Sequence, residues 1–367
     1  MLILLVSAFF VNSCKTDSQT QQPTQKTSGK YVKINGKTMG TTYHITYEKN
    51  PSVSQEVIDR LLVDVNQSVS SYIPTSEISQ FNRGSGSLIL MPIQGDSTSN
   101  ELTINGQINP AYVFNHFESN LEASRIIWKQ SDGLFDPTLM PLVNYWGFGY
   151  KGHEAVDQVN ADSIKLLIEG VGLDLVTLET VGNTTLINKK YPSTQLDFSA
   201  IAKGYGVDLV LYYLESCGVQ NAMVEIGGET STIGTNPSQK SWTIGINTPD
   251  PNARVTDFEV VIKLNDAAIA SSGNYRNYRV IAGQRYGHEI NPKTGYPIQT
   301  DVLSASVIAP DCQLADGYAT ACMVMGVEKS LEMIESIDGV EVLLISDKDG
   351  EEYTHHYSSG FKAYIVK

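Results

Sequence analysis

Leu196-Asp197-Phe198-Ser199-Ala200-Ile201-Ala202-Lys203-Gly204-Tyr205-Gly206-Val207-Asp208 is the stretch from which the rest of the chain is best read. It reads as a strand ending at Asp197 that passes straight into a helix over Ala200 to Ser216. Ser199 is placed to cap that helix and Gly218 follows its end. A helix start exposes unpaired N–H groups and positive dipole, and Lys203 adds a full charge one turn in, a combination suited to a phosphate. Gly204 and Gly206 each cost a helix about 1 kcal/mol relative to Ala, which points to another group lying close against them. The pattern is not a P-loop, because GxxxxGK[ST] is absent. A capped helix with a surface lysine accounts for the spacing equally well.

Outward from this stretch, helices and hairpin-linked strands interleave without regular βαβ repetition. Tyr31–Ile34, an Asn35-Gly36 turn and Thr41–Tyr47 read as a hairpin. Val57, Ile58, Leu61, Leu62, Val65 and Val69 have helical spacing, as does the run Phe114 to Gln130 that Ser131-Asp132-Gly133 stops. Gly84 to Pro110 reads as loop and hairpin, and Ala222 to Ile281 as short strands broken by turns. Helices are expected over Leu314 to Gly326 and Glu328 to Ile337, then closing strands at Val340–Ser346 and Ala363–Val366. The expected class is α+β, without internal repeats or a break after residue 31.

Composition narrows the function. Apolar residues make up 41% of the 367, enough for a buried core. Lys plus Arg total 26 against 40 Asp plus Glu, a formal charge of −14, so nucleic acid is a poor partner. Met1 to Phe10 is nearly all apolar and leads to Val11-Asn12-Ser13-Cys14, too short to span a bilayer. It resembles a bacterial lipoprotein signal over residues 1–13, with Cys14 the lipidated residue; an ordinary signal peptide with a chance cysteine is the alternative. Residues 14–30 read as a flexible tether and 31–367 as the catalytic domain. Cys217, Cys312 and Cys322 lie far apart without a CxxC, which indicates neither a disulfide framework nor a zinc site.

Three more segments carry chemistry. In Asp311-Cys312-Gln313-Leu314-Ala315-Asp316-Gly317-Tyr318-Ala319-Thr320, Asp316 and Thr320 stand one helical turn apart. Their oxygens are hard donors that suit Mg²⁺, although dipole compensation by Asp316 and packing by Thr320 would need no metal. In Gly287-His288-Glu289-Ile290-Asn291-Pro292-Lys293-Thr294-Gly295-Tyr296-Pro297, rigid turn residues present His288 at a strand edge. In Glu225-Ile226-Gly227-Gly228-Glu229, paired glycines allow backbone to approach a flat ligand.

Together with Met39-Gly40-Thr41, Ser71-Tyr72-Ile73-Pro74, Ser76-Glu77-Ile78-Ser79, Phe81-Asn82, Asp132-Gly133-Leu134-Phe135-Asp136-Pro137-Thr138, Pro141-Leu142-Val143, Trp146-Gly147-Phe148-Gly149 and Ala270-Ser271-Ser272-Gly273-Asn274-Tyr275, these segments resemble the ApbE family of FAD:protein FMN transferases from Met39 to Gly326. The resemblance implies a two-lobed fold of mixed and antiparallel sheets with packed helices and an FAD cleft between the lobes. It implies Mg²⁺-dependent cleavage of FAD, release of AMP, and transfer of FMN to a Thr (sometimes Ser) hydroxyl of a target protein. Metal ligands would be Asp316, Thr320 and the Ala200 carbonyl, with Ala319 adjacent. FAD contacts would include Met39, Tyr72, Leu134, Phe135, Asp136, Asp197, Lys203, Ile290 and the Gly227-Gly228 pair. Asn291 stands where many relatives carry Asp. His288 is the expected general base, Asp197 its competitor, and Lys203 the cation on the phosphates. Targets would be membrane redox subunits carrying an Asp-Gly-x-x-[Ser/Ala]-[Ser/Thr/Ala]-Thr-like segment, met by a lipid-anchored enzyme facing the periplasm in the bacterial envelope. An FAD pyrophosphatase releasing FMN and AMP, and a flavin-binding lipoprotein without chemistry, are the rival readings.

Overall fold

The computed structural model describes residues 26–90, 103–104, 107–108, 115–151, 157–181, 184–254, 256–274, 278–347 and 353–366. The expected signal segment, Cys14, most of the tether, much of Gly84 to Pro110 and Tyr275 lie outside the described residues. The strands are β1 (Lys26–Ser28), β2 (Tyr31–Thr38), β3 (Thr41–Glu48), β4 (Leu88–Leu90), β5 (Thr103–Ile104), β6 (Gln107–Ile108), β7 (Val176–Val181), β8 (Thr184–Lys189) and β9 (Ala222–Ile226). They continue as β10 (Glu229–Ile233), β11 (Trp242–Asn247), β12 (Phe258–Leu264), β13 (Ala267–Gly273), β14 (Tyr278–Ile281), β15 (Gln284–Gly287), β16 (Val302–Ala309), β17 (Glu341–Ser346) and β18 (Thr354–Tyr357). The helices are α1 (Gln55–Val69), α2 (Glu77–Arg83), α3 (His116–Gln130), α4 (Met140–Tyr145), α5 (Ala161–Ile168), α6 (Ala202–Ser216), α7 (Cys312–Met325) and α8 (Val327–Glu335).

An antiparallel sheet in the order β1-β2-β3-β9-β10-β13-β16-β17-β18 forms the spine of this α+β fold. Because side chains alternate across a strand, its two faces fill two cores. Ala268 and Ala270 of β13, Val307 of β16 and Leu344 of β17 face the helical layer of α1, α3, α6 and α7. Their neighbours Ile269, Ile308, Leu343 and Ile345 face the β11–β12 ladder and Phe361. A smaller lobe gathers α4, α5 and the β14–β15 hairpin around Trp146, whose Nε1 donates to the Gly295 carbonyl at 2.8 Å.

Helices α6 and α7 are pressed together at their starts. A Cβ on Gly204 would fall 2.2 Å from the Cys312 carbonyl oxygen, and one on Gly206 would fall 2.9 Å from Met39 Cε. These contacts are the close approaches that the two helical glycines foreshadow. Asp208 then accepts the Cys312 and Gln313 N–H groups, both at 2.8 Å, and so caps α7 from α6. Asp311 supplies the second cap through Leu314 N–H at 2.9 Å.

Several local expectations shift. The first hairpin turns at Met39-Gly40, where φ is 48° and 74°, as a two-residue turn of this hand requires. Asn35 and Gly36 stay in the ladder opposite His44 and Tyr43, and Gly36 makes room for the Tyr43 ring. The strand expected to end at Asp197 is reduced to a bridge between Gln195 and Leu139. Helix α6 begins at Ala202, with Ile201 at its cap position, because Ser199 is drawn into a turn in which its N–H donates to Asp197 Oδ1 at 2.9 Å. The last strand is Thr354–Tyr357; Phe361–Tyr364 forms a 3₁₀ turn, with Phe361 filling the outer core, and the expected Ala363–Val366 strand is reduced to an antiparallel bridge between Ile365 and Ile262. Lys26–Ser28 of the expected tether pairs with β2. Cys312 and Cys322 are buried free thiols and Cys217 is half-buried.

Two outcomes follow from this packing. Gly204→Ala must push α6 from α7 and is expected to cost about 1–3 kcal/mol, whereas Gly86→Ala, with open space around it, should stay within about 0.5 kcal/mol in the same urea titration. His116, which shares a 2.8 Å hydrogen bond with Tyr205, is pushed by burial down to about 4. The unfolded chain binds its proton near pH 6.5, so stability should fall by about 2–3 kcal/mol as pH drops from 6.5 towards 4. His116→Gln should flatten that decline; an unchanged slope would remove His116 from it.

Candidate active site

A cleft of about 480 Å³ opens between the smaller lobe and the helical layer. The Leu134–Pro137 loop, Met140, Val143 and Phe148 form one wall; Ser199, Ala200, Lys203, Glu229, Asp316 and Thr320 form the other. His288, Glu289 and Ile290 close one end, and Tyr72 stands at the opening, 68% exposed and edge-on to Tyr150 with ring centroids 6.5 Å apart. The two helix starts, more than a hundred positions apart in sequence, thus share one cavity.

Charge is concentrated on the helical wall. Lys203 Nζ lies 2.9 Å from Glu229 Oε1 and 3.6 Å from Asp316 Oδ2. Burial alone would lower the Lys203 ammonium, but the Asp316 and Glu229 carboxylates outweigh it and raise the group above the ordinary lysine range. Burial pushes Glu229 up to about 7 against the pull of Lys203. Asp316 Oδ2 also accepts the Gly204 N–H at 3.1 Å, a donor left over at the start of α6. Its Oδ1 accepts no hydrogen bond among the described residues. Thr320 Oγ1 lies 3.1 Å from Ser272 Oγ of β13, one turn along α7 from Asp316.

The opposite wall is held by Asp136. Its Oδ1 accepts Thr138 N–H at 2.8 Å and Thr138 Oγ1–H at 2.5 Å, and its Oδ2 accepts Trp128 Nε1–H at 3.0 Å and Leu173 N–H at 3.1 Å. With four donors its carboxylate fixes the Leu134–Pro137 loop. The Asp197 N–H donates to the Pro137 carbonyl at 2.7 Å, which ties the loop to the approach of α6. Burial raises the Asp197 carboxyl, opposed by the Ser199 N–H.

Tyr72, Leu134, Phe135, Asp136, Asp197, Ala200, Lys203, His288, Ile290, Asp316 and Thr320 therefore meet in the cleft. Four expected residues do not line it. Met39 lines a separate groove with Val63 and Asn66 and packs its Cε over Gly206; Ala319 is fully buried in the core. Gly227 and Gly228, with φ of 64° and 109°, make the β9–β10 turn that delivers Glu229. The residues that sequence reasoning passed over are Glu229 and Glu289, 4% and 6% exposed, together with Ser272. Both glutamates lie inside quoted segments, but nothing in their spacing shows that they turn inward.

A family model described as the ApbE family matches residues 39–344. The chain is 37% identical over 340 residues to the FAD:protein FMN transferase of Haemophilus influenzae, covering 91% of both chains. It is 36% identical to that of Vibrio cholerae, covering 92% of this chain and 93% of the relative. Among solved structures, it resembles the flavin transferase ApbE from Vibrio cholerae with a TM-score of 0.75 at 35% identity, over 91% of this chain and 99% of that one. It also resembles the apo flavinyl transferase ApbE of Pseudomonas stutzeri with a TM-score of 0.74 at 28% identity, over 94% and 98%.

The lysine's place between two carboxylates can be tested without turnover. Lys203→Met leaves Glu229 and Asp316 facing each other without a cation and should cost about 3–5 kcal/mol of unfolding free energy. Adding Glu229→Gln should recover part of the loss. Equal stability of the single and double variants would mean that the pair is not coupled.

Proposed function

The chain belongs to the ApbE family and transfers FMN from FAD to protein, and from that premise we propose that the acceptor is a threonine (or serine) hydroxyl, that AMP leaves, and that Mg²⁺ bound at Asp316 and Thr320 is required. The carrying observation is the convergence of Lys203, Glu229, Asp316 and Thr320 on one cleft wall. With both carboxylates ionised, the three charged groups sum to one negative charge, which would repel a diphosphate. Among the described residues neither Asp316 Oδ1 nor the Ala200 carbonyl accepts a hydrogen bond, and Thr320 and Ser272 add hydroxyl oxygens to the same cleft. That set of hard oxygens, short of a full coordination shell, fits a magnesium ion that keeps waters and takes phosphate oxygens. When bound there, the ion offsets diphosphate charge and polarises its oxygens.

The chain's own residues do the rest. Lys203, held by two carboxylates, stays charged and offers its remaining N–H to a phosphate oxygen. Tyr72 and Phe148 present aromatic surface for a flat ring system. His288, beside Phe148 at a ring separation of 6.2 Å, takes the proton of the acceptor hydroxyl. That oxygen bonds to the FMN phosphorus, and the bridging P–O bond breaks towards AMP. The N-terminal pattern supports an anchor at Cys14 and a periplasmic location, and membership of the family supports membrane redox subunits as targets.

The test combines the protein with FAD, Mg²⁺ and a target carrying the threonine segment, followed by in-gel flavin fluorescence and AMP release. Covalent yellow target with matching AMP is expected, and chelation should abolish both. Free FMN with an unlabelled target would mean a pyrophosphatase, and bound FAD without AMP a carrier. Asp316→Ala should lose AMP release, and undiminished release would remove it from the metal site. His288→Ala should slow transfer by about 10²–10⁴-fold while leaving FAD affinity within about threefold; unaltered turnover would reject it as the base.

A further inference from the structure

Glu289 is a carboxylate without an explanation in the scheme above. It is buried at the end of the cleft, and neither of its side-chain oxygens accepts a hydrogen bond among the described residues. A buried carboxylate in that condition is costly, so a partner of its own is expected. The basic group set against it is the neighbouring imidazole, with His288 Nδ1 at 3.4 Å from Glu289 Oε2. The backbone around the pair is tied down: Ile298 N–H donates to the Glu289 carbonyl at 2.9 Å, and Asn291 N–H donates to the Tyr296 carbonyl at 2.9 Å. Trp146 clamps the same turn through Gly295. The carboxylate is therefore fixed while the imidazole, one third exposed, faces the cleft.

Resting on the transfer reading above, we propose that Glu289 is the positioning residue for His288, holding the Nδ1–H tautomer so that Nε2 carries no proton and takes that of the acceptor hydroxyl. In the reaction the hydroxyl proton moves to Nε2 and the hydroxyl oxygen forms the new O–P bond. The bridging P–O bond breaks with its electron pair going to AMP. Nδ1–H stays in place and donates to Glu289, whose negative charge offsets the imidazolium. At 3.4 Å the charge on Oε2 favours a proton on Nδ1 over one on Nε2. Burial raises the Glu289 carboxyl and His288 draws it down.

The test uses the full chain with Glu289→Gln and Glu289→Ile, the second removing the carboxylate without leaving a buried polar group. Both should melt at or above the parent temperature. Long-range ¹H–¹⁵N spectra of histidine-labelled protein should show His288 as the Nδ1–H tautomer in the parent and the other tautomer in Glu289→Ile. In the transfer assay both variants should lose kcat by about 10- to 100-fold, part of what a positioned base contributes, with KM for FAD within about twofold. Neither should slow His288→Ala further. An unchanged tautomer, a kcat within twofold of the parent, a KM rise matching the loss, or additive losses with His288→Ala would each overturn the assignment. A parent that leaves its target unlabelled would defeat the transfer reading, while the tautomer spectra would still decide the role of Glu289.

Discussion

The first turns of α6 and α7 are fastened to each other across a gap that admits no Cβ. Gly204 brings the backbones into contact, Asp208 caps α7 from α6, and Lys203 with the Gly204 N–H grips Asp316 on α7. Each tie satisfies a group that a helix start or a buried charge would otherwise leave unpaired. The cleft's charged wall is a by-product of that satisfaction. Movement of α7 by the width of a methyl group would separate Lys203 from Asp316 and also break the cap.

Opposite this wall, a different solution holds the loop that completes the cleft. The Leu134–Pro137 segment has little regular structure, and Asp136 replaces it with four donors drawn from its own turn, Trp128 and the segment at Leu173. The Asp197 N–H then joins this loop to the entry of α6. Both walls are thus organised by buried carboxylates, which suits a chain with 40 acidic residues that must still receive a polyanion. The charge is enclosed and oriented, so a single divalent cation, bound as proposed, would change the sign of the local field.

The sequence disclosed the segments whose chemistry is local. Asp316 and Thr320 needed only helical spacing to share a face, Lys203 only a helix start, and His288 only the rigid turn behind it. The α+β class followed from the order of periodic segments. What it concealed depends on contacts between distant segments. Asn35-Gly36 has turn composition, yet pairing opposite His44 and Tyr43 keeps it in the strand and sends the turn to Met39-Gly40. Ser199 has cap composition, yet Asp197 captures its N–H first. Ala363 to Val366 has strand composition, but Phe361 is needed in the outer core, the chain coils as far as Tyr364, and only Ile365 bridges to Ile262. Met39 shares the family pattern and meets α6 from outside the main cleft.

The acidic side chains of the site differ in how many donors the protein gives them, and that number sorts their roles better than residue type or position does. Asp136 has four donors and is saturated, so its carboxylate can only hold structure. Asp208 has two, one on each oxygen, and serves as a cap. Asp316 has its donors gathered on Oδ2, and its Oδ1 accepts none among the described residues. Among the described residues, Glu229 is occupied on Oε1 by Lys203 while its buried Oε2 accepts no hydrogen bond, and Glu289 has no donor at hydrogen-bond geometry but a histidine at 3.4 Å. Since an unsatisfied buried carboxylate is disfavoured by several kcal/mol, the deficit grows where the protein contributes least and something arriving during the reaction contributes most. In the proposed reaction a metal ion at Asp316, and the proton delivered to His288, would answer that deficit.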